Sequence, residues 1–312
     1  MKVFIPHRIF LVVLVALLAG CASKEKKDGS NFPVTDLAIN KELNCAERPT
    51  VTIFIHGTRI FPKFYAQELF YSPEGFNHIS AIEEASHMHS IAHALEESDP
   101  QKYSYEQFYT FGWNGNLDFQ ERKKASEGLY KALKELSAVY IGQYGIRPRL
   151  RIITHSHGGN VALNLAVVAK EGQDALFFVD ELIMLAVPVQ QKTKDLVAEP
   201  CFGRIYSLSS SNDVVQVIDP QGLYKQNDNV PLFSERYFKA YPHVLQAQIK
   251  IQGHFLMHIE FLMEKLFKHL PAIVDIMDTW HSIAQKQSRP IVHIPTIDVH
   301  NETIKIYPKL RY

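Results

Sequence analysis

The stretch from Arg149 to Ala162 constrains the fold most, because its pattern changes from extended to helical around a single serine. It begins with the apolar, β-branched run Leu-Arg-Ile-Ile-Thr, and an apolar helical pattern starts at Asn160. The residues His-Ser-His-Gly-Gly lie between the two, with Ser156 as the serine. A sharp strand-to-helix turn built with small residues lifts one side chain out of the sheet edge. Ser156 is therefore the first candidate for a nucleophile, and a plain polar turn is the alternative.

Length and composition fit one large α/β domain. The chain has 312 residues, of which 46% are hydrophobic, and this is enough to bury a sizeable core. The 33 basic and 33 acidic side chains cancel to a formal net charge of zero. Because nucleic-acid binding needs a strongly basic surface, we expect no nucleic-acid partner.

The N-terminus has the pattern of a secretory signal over residues 1–20. Two basic residues precede the apolar run Ile9–Leu18, which is shorter than the ~20 residues of a membrane-spanning helix. The run ends in Leu-Ala-Gly-Cys21, which resembles the lipobox of bacterial lipoproteins. This resemblance implies cleavage before Cys21, a lipid on that cysteine, and, with Ala22 next, the outer membrane of a bacterial envelope. An uncleaved anchor is the alternative.

Residues 21–47 are interpreted as a lipidated N-terminus and tether, because their first part is polar and rich in lysine. Cys45 lies at the end of this segment, and Cys201 lies far along the chain. In an oxidising compartment the two could form a disulfide, while two free thiols remain the alternative.

Strands and helices alternate along the chain. The strand patterns cover 49–55, 108–113, 149–155, 180–188, 204–209 and 246–251, and the helical patterns cover 87–97, 119–144, 160–170, 256–270 and 271–287. Such alternation predicts an α/β domain over residues 48–287 with a mostly parallel sheet covered on both faces. Residues 288–312 are interpreted as a short extended C-terminal tail.

The turn at Ser156 and an earlier His-Gly-Thr sequence resemble the α/β-hydrolase superfamily over about residues 48–270, and bacterial triacylglycerol lipases in particular. Thr58 follows His-Gly directly after the first strand, as in that superfamily. The resemblance implies an α/β-hydrolase fold and an oxyanion hole made by the backbone N–H groups of Thr58 and His157. It also implies no metal and no organic cofactor. Thr154 departs from the usual Gly-x-Ser-x-Gly, where glycine occupies that position.

Attack by a serine on an ester carbonyl requires a histidine base and a carboxylate that orients the histidine. In α/β hydrolases these residues follow the order serine, acid, histidine. Asp213, just past the strand 204–209, is the favoured acid. Asp180 lies at the start of its strand, and Asp219 lies deeper in a loop, so both are weaker alternatives.

Two histidines can complete this set. His254 comes three residues after the strand 246–251, which suits a residue at the sheet edge, and His258 begins the next apolar segment. The short distance from the strand gives His254 a slight preference, and His258 stays open as the base.

The resemblance therefore implies a lipid-anchored serine carboxylesterase or lipase acting on a small-molecule or lipid ester. The alternatives are an acyltransferase or thioesterase on the same scaffold, or a non-catalytic envelope lipoprotein that binds acyl chains. The aromatic stretch 59–84 either lines an acyl pocket or lid or packs as a surface loop. His89 and His93 have helical spacing but lack the glutamate of His-Glu-x-x-His, so no metal site is predicted there.

Overall fold

The computed structural model describes residues 48–59, 71–218, 236–286, 294–300 and 303–307. The strands are β1 (Thr50–Ile55), β2 (Gly75–His78), β3 (Phe108–Gly112), β4 (Arg149–His155), β5 (Val179–Leu185), β6 (Phe202–Ser209), β7 (Val244–Ile251), β8 (His254–Phe255), β9 (Thr296–His300) and β10 (Thr303–Tyr307). The helices are α1 (His87–Ser98), α2 (Phe119–Tyr144), α3 (Gly158–Glu171), α4 (Glu264–Phe267) and α5 (Leu270–Lys286). Short 3₁₀ helices include Lys194–Ala198 and His258–Leu262.

The described strands form one sheet in the order β10-β9-β7-β6-β5-β4-β1-β3-β2, with β8 added to β7. Strands β3, β1, β4, β5, β6, β7 and β9 run parallel to their neighbours in this order. The strands β2, β8 and β10 pair antiparallel. This mostly parallel sheet, with a strand-to-helix turn after its central strand β4, confirms the predicted α/β-hydrolase fold.

Helices cover both faces of the sheet because successive side chains of its central strands point to opposite faces. In β4, Ile153 packs into the core shared with α1, α4 and α5, whereas Ile152 packs into the core shared with α2 and α3. All of the apolar positions of β4 are buried. Strands apolar on both faces are typical of a parallel sheet, as the sequence predicted.

Helix α2 has the bounds predicted from its apolar period, and its end groups explain them. The Asp118 carboxylate accepts hydrogen bonds from the N–H groups of Gln120 (2.7 Å) and Glu121 (3.1 Å) at the start of the helix. Gly145 ends it in the left-handed region at φ 70°. An acidic N-cap and a glycine after the last turn are strong helix boundaries, and this is why the sequence marks both ends.

The structure differs from the predicted tail at residues 288–312. Strand β9 pairs in parallel with β7, and β10 pairs antiparallel with β9, so both extend the sheet. Ile297 and Val299 of β9 lie fully within the core. This segment forms a strand because one face of its alternating side chains is apolar and packs into the core that also contains α5.

Two further segments differ from their predicted form. Part of the aromatic stretch, Gly75–His78, forms β2 at the sheet edge rather than a loop, while residues 60–70 lie outside the described residues. The segment 256–270 is not one helix, because the 3₁₀ helix His258–Leu262 and the short α4 divide it.

The predicted signal, Cys21, the tether and Cys45 all fall within residues 1–47, outside the described part of the chain. Within the described ranges, no helix combines the length and apolar character needed to cross a bilayer.

Candidate active site

Ser156 occupies the sharp turn between β4 and α3, at the carboxyl end of the central strand. Its φ of 52° lies in the left-handed region, which non-glycine residues seldom adopt. The Ser156 N–H donates to the Leu185 carbonyl oxygen (2.9 Å), and its own carbonyl oxygen accepts from the Gly159 N–H (3.0 Å). The turn is therefore held from both the neighbouring strand β5 and the helix that follows. Strained serine geometry of this kind is the structural signature of a nucleophile elbow.

Two glycines let the elbow pack against the loop after β1. A Cβ on Gly158 would come within 2.6 Å of the carbonyl oxygens of Ile55 and His56. A Cβ on Gly57 would come within 2.7 Å of the Ser156 Cβ. Because the two backbones touch, the residues after Gly57 lie beside the serine.

Thr154 is accommodated without glycine because it still belongs to β4. It is paired in register with Ile55 on one side and Met184 on the other. Its side chain is fully buried, and its hydroxyl donates to the Ile183 carbonyl oxygen at 3.4 Å. The close approach in this elbow falls at Gly57 and Gly158, so the departure at Thr154 leaves the turn intact.

Substituting Gly57 by alanine is expected to lower the rate of any reaction at Ser156 by ~10²-fold or more, since the new Cβ must displace the serine. A matched control is Gly142→Ala in α2, where an added Cβ meets nothing within 4 Å. Steady-state rates of the two variants, measured on folded protein, test this. Unchanged activity in Gly57→Ala would contradict the packing of the elbow against this loop.

His258 is the histidine that the structure brings to the acid. Its Nδ1–H donates to Oδ2 of Asp213 at 2.8 Å, and the Asp213 side chain is completely buried. His254 instead lies exposed on β8, which folds back along β7. Of the two candidate bases, the structure therefore brings His258 to the favoured acid, and not His254, which had the slight preference.

The Asp213 carboxylate is fixed by a second hydrogen bond, which sequence reasoning did not single out. The backbone N–H of Gln216 donates to Asp213 Oδ1 at 2.9 Å. The Gln216 side chain, itself fully buried, donates from Nε2 to the Val187 carbonyl oxygen at 2.9 Å. The acid loop is thus attached to the segment after β5, against which Gly159 of the elbow also packs.

Arg236 holds the backbone of the same acid loop. Its guanidinium donates to the carbonyl oxygens of Ser210 (2.9 Å), Ser211 (3.3 Å) and Asp213 (2.8 Å). Three charge-assisted hydrogen bonds to one short loop fix the position of the acid. No local sequence pattern marks Arg236, because the loop it holds is more than twenty residues away in sequence.

The two alternative acids are Asp180 and Asp219, and within the described part of the chain Asp180 contacts neither candidate histidine. Asp180 lies at the opposite end of the sheet, where it forms ion pairs with Arg48 (3.2 Å) and Arg147 (3.0 Å). Its carboxylate also accepts from the Leu150 N–H at 3.0 Å. Asp180 is therefore a structural residue at the amino ends of the strands. Asp219 lies outside the described residues.

His258 lies against the elbow through His155, the residue before Ser156. The rings of His155 and His258 are 4.6 Å apart between centroids. The His155 Nε2–H donates to the His258 carbonyl oxygen at 3.1 Å. Burial, together with the nearby His258, lowers the pKa of His155 well below its ordinary value, so this side chain is neutral. Ser156, His258 and Asp213 thus lie at one edge of the sheet.

The two predicted oxyanion donors both lie next to residues of the elbow contact. His157 follows it directly and is the N-cap of α3, and Thr58 follows Gly57, which contacts the serine. The amino end of a helix carries a partial positive charge that favours an anion. Thr58 is also nearly buried, and its hydroxyl has no hydrogen-bond partner among the described residues.

His56 fixes the loop that carries Thr58. Its Nδ1–H donates to the Gly57 carbonyl oxygen (2.7 Å), and its Nε2 accepts from the Trp113 N–H (3.2 Å). The Trp113 indole N–H in turn donates to the His56 carbonyl oxygen at 2.9 Å. Burial lowers the pKa of His56 to about 3. With both ring nitrogens engaged, His56 is structural.

The buried His56 predicts a loss of stability in mild acid. The unfolded chain binds a proton at this site below about pH 6.5, whereas the folded chain does so only near pH 3. Between those values the unfolded state holds more protons, so the free energy of unfolding falls as pH falls, by at most about 1.4 kcal/mol per pH unit for this group. Urea unfolding near pH 7 and near pH 5 measures the slope. His56→Asn, which retains a donor toward Gly57, should flatten it; an equal slope would contradict the assignment.

Two histidines of α1, His89 and His93, make structural contacts within the fold. His89 bonds the Tyr105 hydroxyl through Nδ1 (2.7 Å) and the Ile82 carbonyl oxygen through Nε2 (3.2 Å). His93 stacks on the Tyr105 ring at 4.4 Å. In the described ranges, no group of three or more histidine, cysteine or acidic side chains is arranged to hold a metal ion.

The sequence matches no protein-family model and no curated protein. One similar solved structure is a hormone-sensitive lipase from a metagenome library, with 17% identity over 47% of this chain and 39% of that chain and a TM-score of 0.26. A second is a hyperthermophilic esterase of the archaeon Pyrobaculum calidifontis, with 12% identity over 81% of this chain and 66% of that chain and a TM-score of 0.32. A third is a fungal esterase of Rhizomucor miehei, with 9% identity over 89% of this chain and 92% of that chain and a TM-score of 0.40. The chain thus spans well under half of the lipase it resembles.

Proposed function

We propose that the protein is a serine hydrolase of carboxylic esters. The observation that carries this proposal is the buried 2.8 Å hydrogen bond from His258 to Asp213, placed against a strained elbow with Ser156 at its tip. A serine, a histidine and a carboxylate in this order on an α/β sheet are the components of acyl transfer through an acyl-enzyme.

In the first half of the reaction His258 acts as a general base. Since its Nδ1 carries the proton donated to Asp213, the other ring nitrogen, Nε2, is free of a proton and accepts the one from Ser156 Oγ. Oγ then bonds to the ester carbonyl carbon, and the carbonyl oxygen becomes an oxyanion. The N–H groups of Thr58 and His157 donate hydrogen bonds to that oxyanion.

The second half regenerates the enzyme. The His258 imidazolium protonates the leaving alkoxide as the bond from carbon to oxygen breaks, which releases an alcohol and leaves the acyl group on Ser156. A water molecule, deprotonated by His258, then attacks the acyl carbon. The bond from that carbon to Ser156 Oγ breaks, Oγ takes the proton back from His258, and the carboxylic acid is released. The Asp213 carboxylate accepts the Nδ1–H of His258 and stabilises the imidazolium, while the Gln216 N–H holds its other oxygen in place.

Apolar side chains around the base and the acid favour an ester with an apolar acyl group. Nine large hydrophobic side chains are exposed in the described ranges, and four of them, Val214, Val215, Met257 and Ile259, are within two residues of Asp213 or His258. We call these four side chains the rim. Clustered exposed apolar side chains beside a site are typical of surfaces that bind apolar ligands.

A chain-length series of nitrophenyl esters from acetate to palmitate tests the proposal, with Ser156→Ala as the blank. We expect turnover by the wild type that depends on Ser156 and a kcat/KM that rises as the acyl chain lengthens. The paired change Val215→Thr with Met257→Gln should reduce that preference, whereas Leu176→Gln, at an exposed position far from the rim in sequence, should not. No Ser156-dependent turnover of any ester would refute the proposal. Transfer of the acyl group to an added alcohol or thiol in preference to water would assign a transferase instead.

We also propose that the protein is anchored to the bacterial envelope, in the outer membrane, by lipid on Cys21. The support is the short apolar run ending in Leu-Ala-Gly-Cys. Partitioning into detergent and the mass of the N-terminal peptide test this proposal. Cys21→Ala should remove the lipid and shift the protein to the aqueous phase, and an unmodified N-terminus in the wild type would refute it.

A further inference from the structure

His155 joins the catalytic elbow to the main chain of the base. It is the last residue of β4, and its ring is enclosed between the loop at Gly57 and the ring of His258. Its Nε2 lies 3.1 Å from the carbonyl oxygen of His258. A carbonyl oxygen can only accept, so Nε2 carries the proton and the other ring nitrogen does not.

The position of the His258 ring depends on two anchors. Asp213 holds the side chain at Nδ1, but one hydrogen bond leaves the ring free to pivot about its contact. The backbone of His258 starts a 3₁₀ helix after a hairpin, and it is fixed to the sheet by the bond from His155. Because His155 directly precedes Ser156, the base and the nucleophile are positioned from the same strand end.

His155 also suits this place because its ring is neutral. During acyl transfer His258 becomes an imidazolium. A second positive charge at a ring separation of 4.6 Å would oppose that step, and a lysine or arginine at residue 155 would impose one. A neutral ring that donates one hydrogen bond holds the backbone without this repulsion.

We propose that His155 is a positioning residue for the base: its Nε2–H fixes the main chain of His258, so that the ring bonded to Asp213 faces Ser156. This inference rests on the proposed function, because it deepens the account of the same site. It assigns no contact between His155 and the substrate.

The test compares His155→Leu with His155→Gln, whose side-chain amide can donate from nearly the same position as Nε2. We expect His155→Leu to lower kcat by about 10-fold to 100-fold with KM changed less than about 2-fold, and His155→Gln to recover most of the loss. The rate is expressed per active site titrated with a fluorophosphonate, so that misfolded protein does not contribute.

A matched control is His243→Leu. His243 donates from Nε2 to the Val197 carbonyl oxygen at 2.7 Å, the same kind of bond, at the start of β7 and so at the opposite sheet edge. Its loss should lower stability and leave kcat per active site unchanged. An equal fall in kcat for His243→Leu would show a general structural effect and overturn the proposal. A wild-type kcat in His155→Leu would also overturn it, and so would a kcat of His155→Gln that is no higher than that of His155→Leu.

A second readout does not depend on activity. The proton shared by His258 and Asp213 gives a far-downfield NMR signal, which should be lost or broadened in His155→Leu and retained in His155→Gln. If the wild type hydrolyses esters but neither kcat nor this signal responds to leucine, the positioning role is refuted while the proposed function stands. If the signal responds but no active site can be titrated, His155 orders the His258–Asp213 pair structurally, and the proposed function is refuted together with the role of His258 as a base.

Discussion

Alanine at Ser156, at His258, or at both is expected to reduce kcat for ester hydrolysis by the same factor, roughly 10⁴ to 10⁶. The serine has no proton acceptor without the histidine, and the histidine has no nucleophile to activate without the serine, so their effects do not add. The structural reason is that His258 lies against the elbow through its contact with His155. Steady-state rates of the two single variants and the double variant measure this.

His254→Ala is the control for that series, because His254 is exposed on β8 and lies only four residues from the base. It should retain nearly wild-type kcat. Strict additivity of the Ser156 and His258 effects, or a larger loss in His254→Ala than in His258→Ala, would contradict the assignment of the base.

Asp213→Asn is expected to lower kcat by about 10⁴-fold with little change in the fold. The Gln216 N–H needs an acceptor, so the amide oxygen of the new asparagine should take the place of Oδ1. Its amide nitrogen then faces His258 Nδ1, which must accept instead of donate. The proton of the imidazole moves to Nε2, and the ring can no longer act as a base toward Ser156.

The pH dependence of the rate and the circular dichroism spectrum of Asp213→Asn separate lost tautomer control from lost folding. Asp180→Asn is a matched control, because it removes one charge from a carboxylate that is ion-paired with Arg48 and Arg147 at the opposite sheet edge. Asp180→Asn should lower stability and keep its kcat. Wild-type kcat in Asp213→Asn would exclude this aspartate as the acid.

Local signals made the elbow and α2 predictable from the sequence. The turn at Ser156 requires small residues and a change of period, and Gly158 is where an added Cβ would meet the backbone of the β1 loop. Asp118 and Gly145 mark the ends of α2. Each of these signals lies within a few residues of the feature it defines, so no knowledge of distant partners is needed.

Choosing between the two histidines required the path of the chain after β7. Gln252 and Gly253 both have positive φ, 53° and 79°, which makes a tight hairpin turn. This turn pairs His254 with Ile251 in an antiparallel hairpin and leaves its side chain exposed, and the ring that reaches Asp213 is that of His258, four residues further on. Counting residues from the strand end favours His254, because it assumes that the chain continues outward.

The other features missed from the sequence depend on distant partners. Strand β9 pairs with β7 across more than forty residues, and Arg236 and Gln216 act on backbone groups that no local pattern reveals. A segment with alternating side chains predicts a strand but does not identify its neighbour. The contact between His155 and His258 has the same origin, since it depends on the end of β4 meeting a 3₁₀ helix about a hundred residues further along the chain.

An activated nucleophile at Ser156 is expected to react covalently with a fluorophosphonate, and this labelling is the most direct measurement of it. Mass spectrometry of the labelled wild type should find one phosphonyl group per chain, on the peptide that contains Ser156. His258→Ala should slow labelling strongly, and Ser156→Ala should abolish it. Labelling of Ser156→Ala at the wild-type rate, or a folded wild type that takes up no label, would contradict the account.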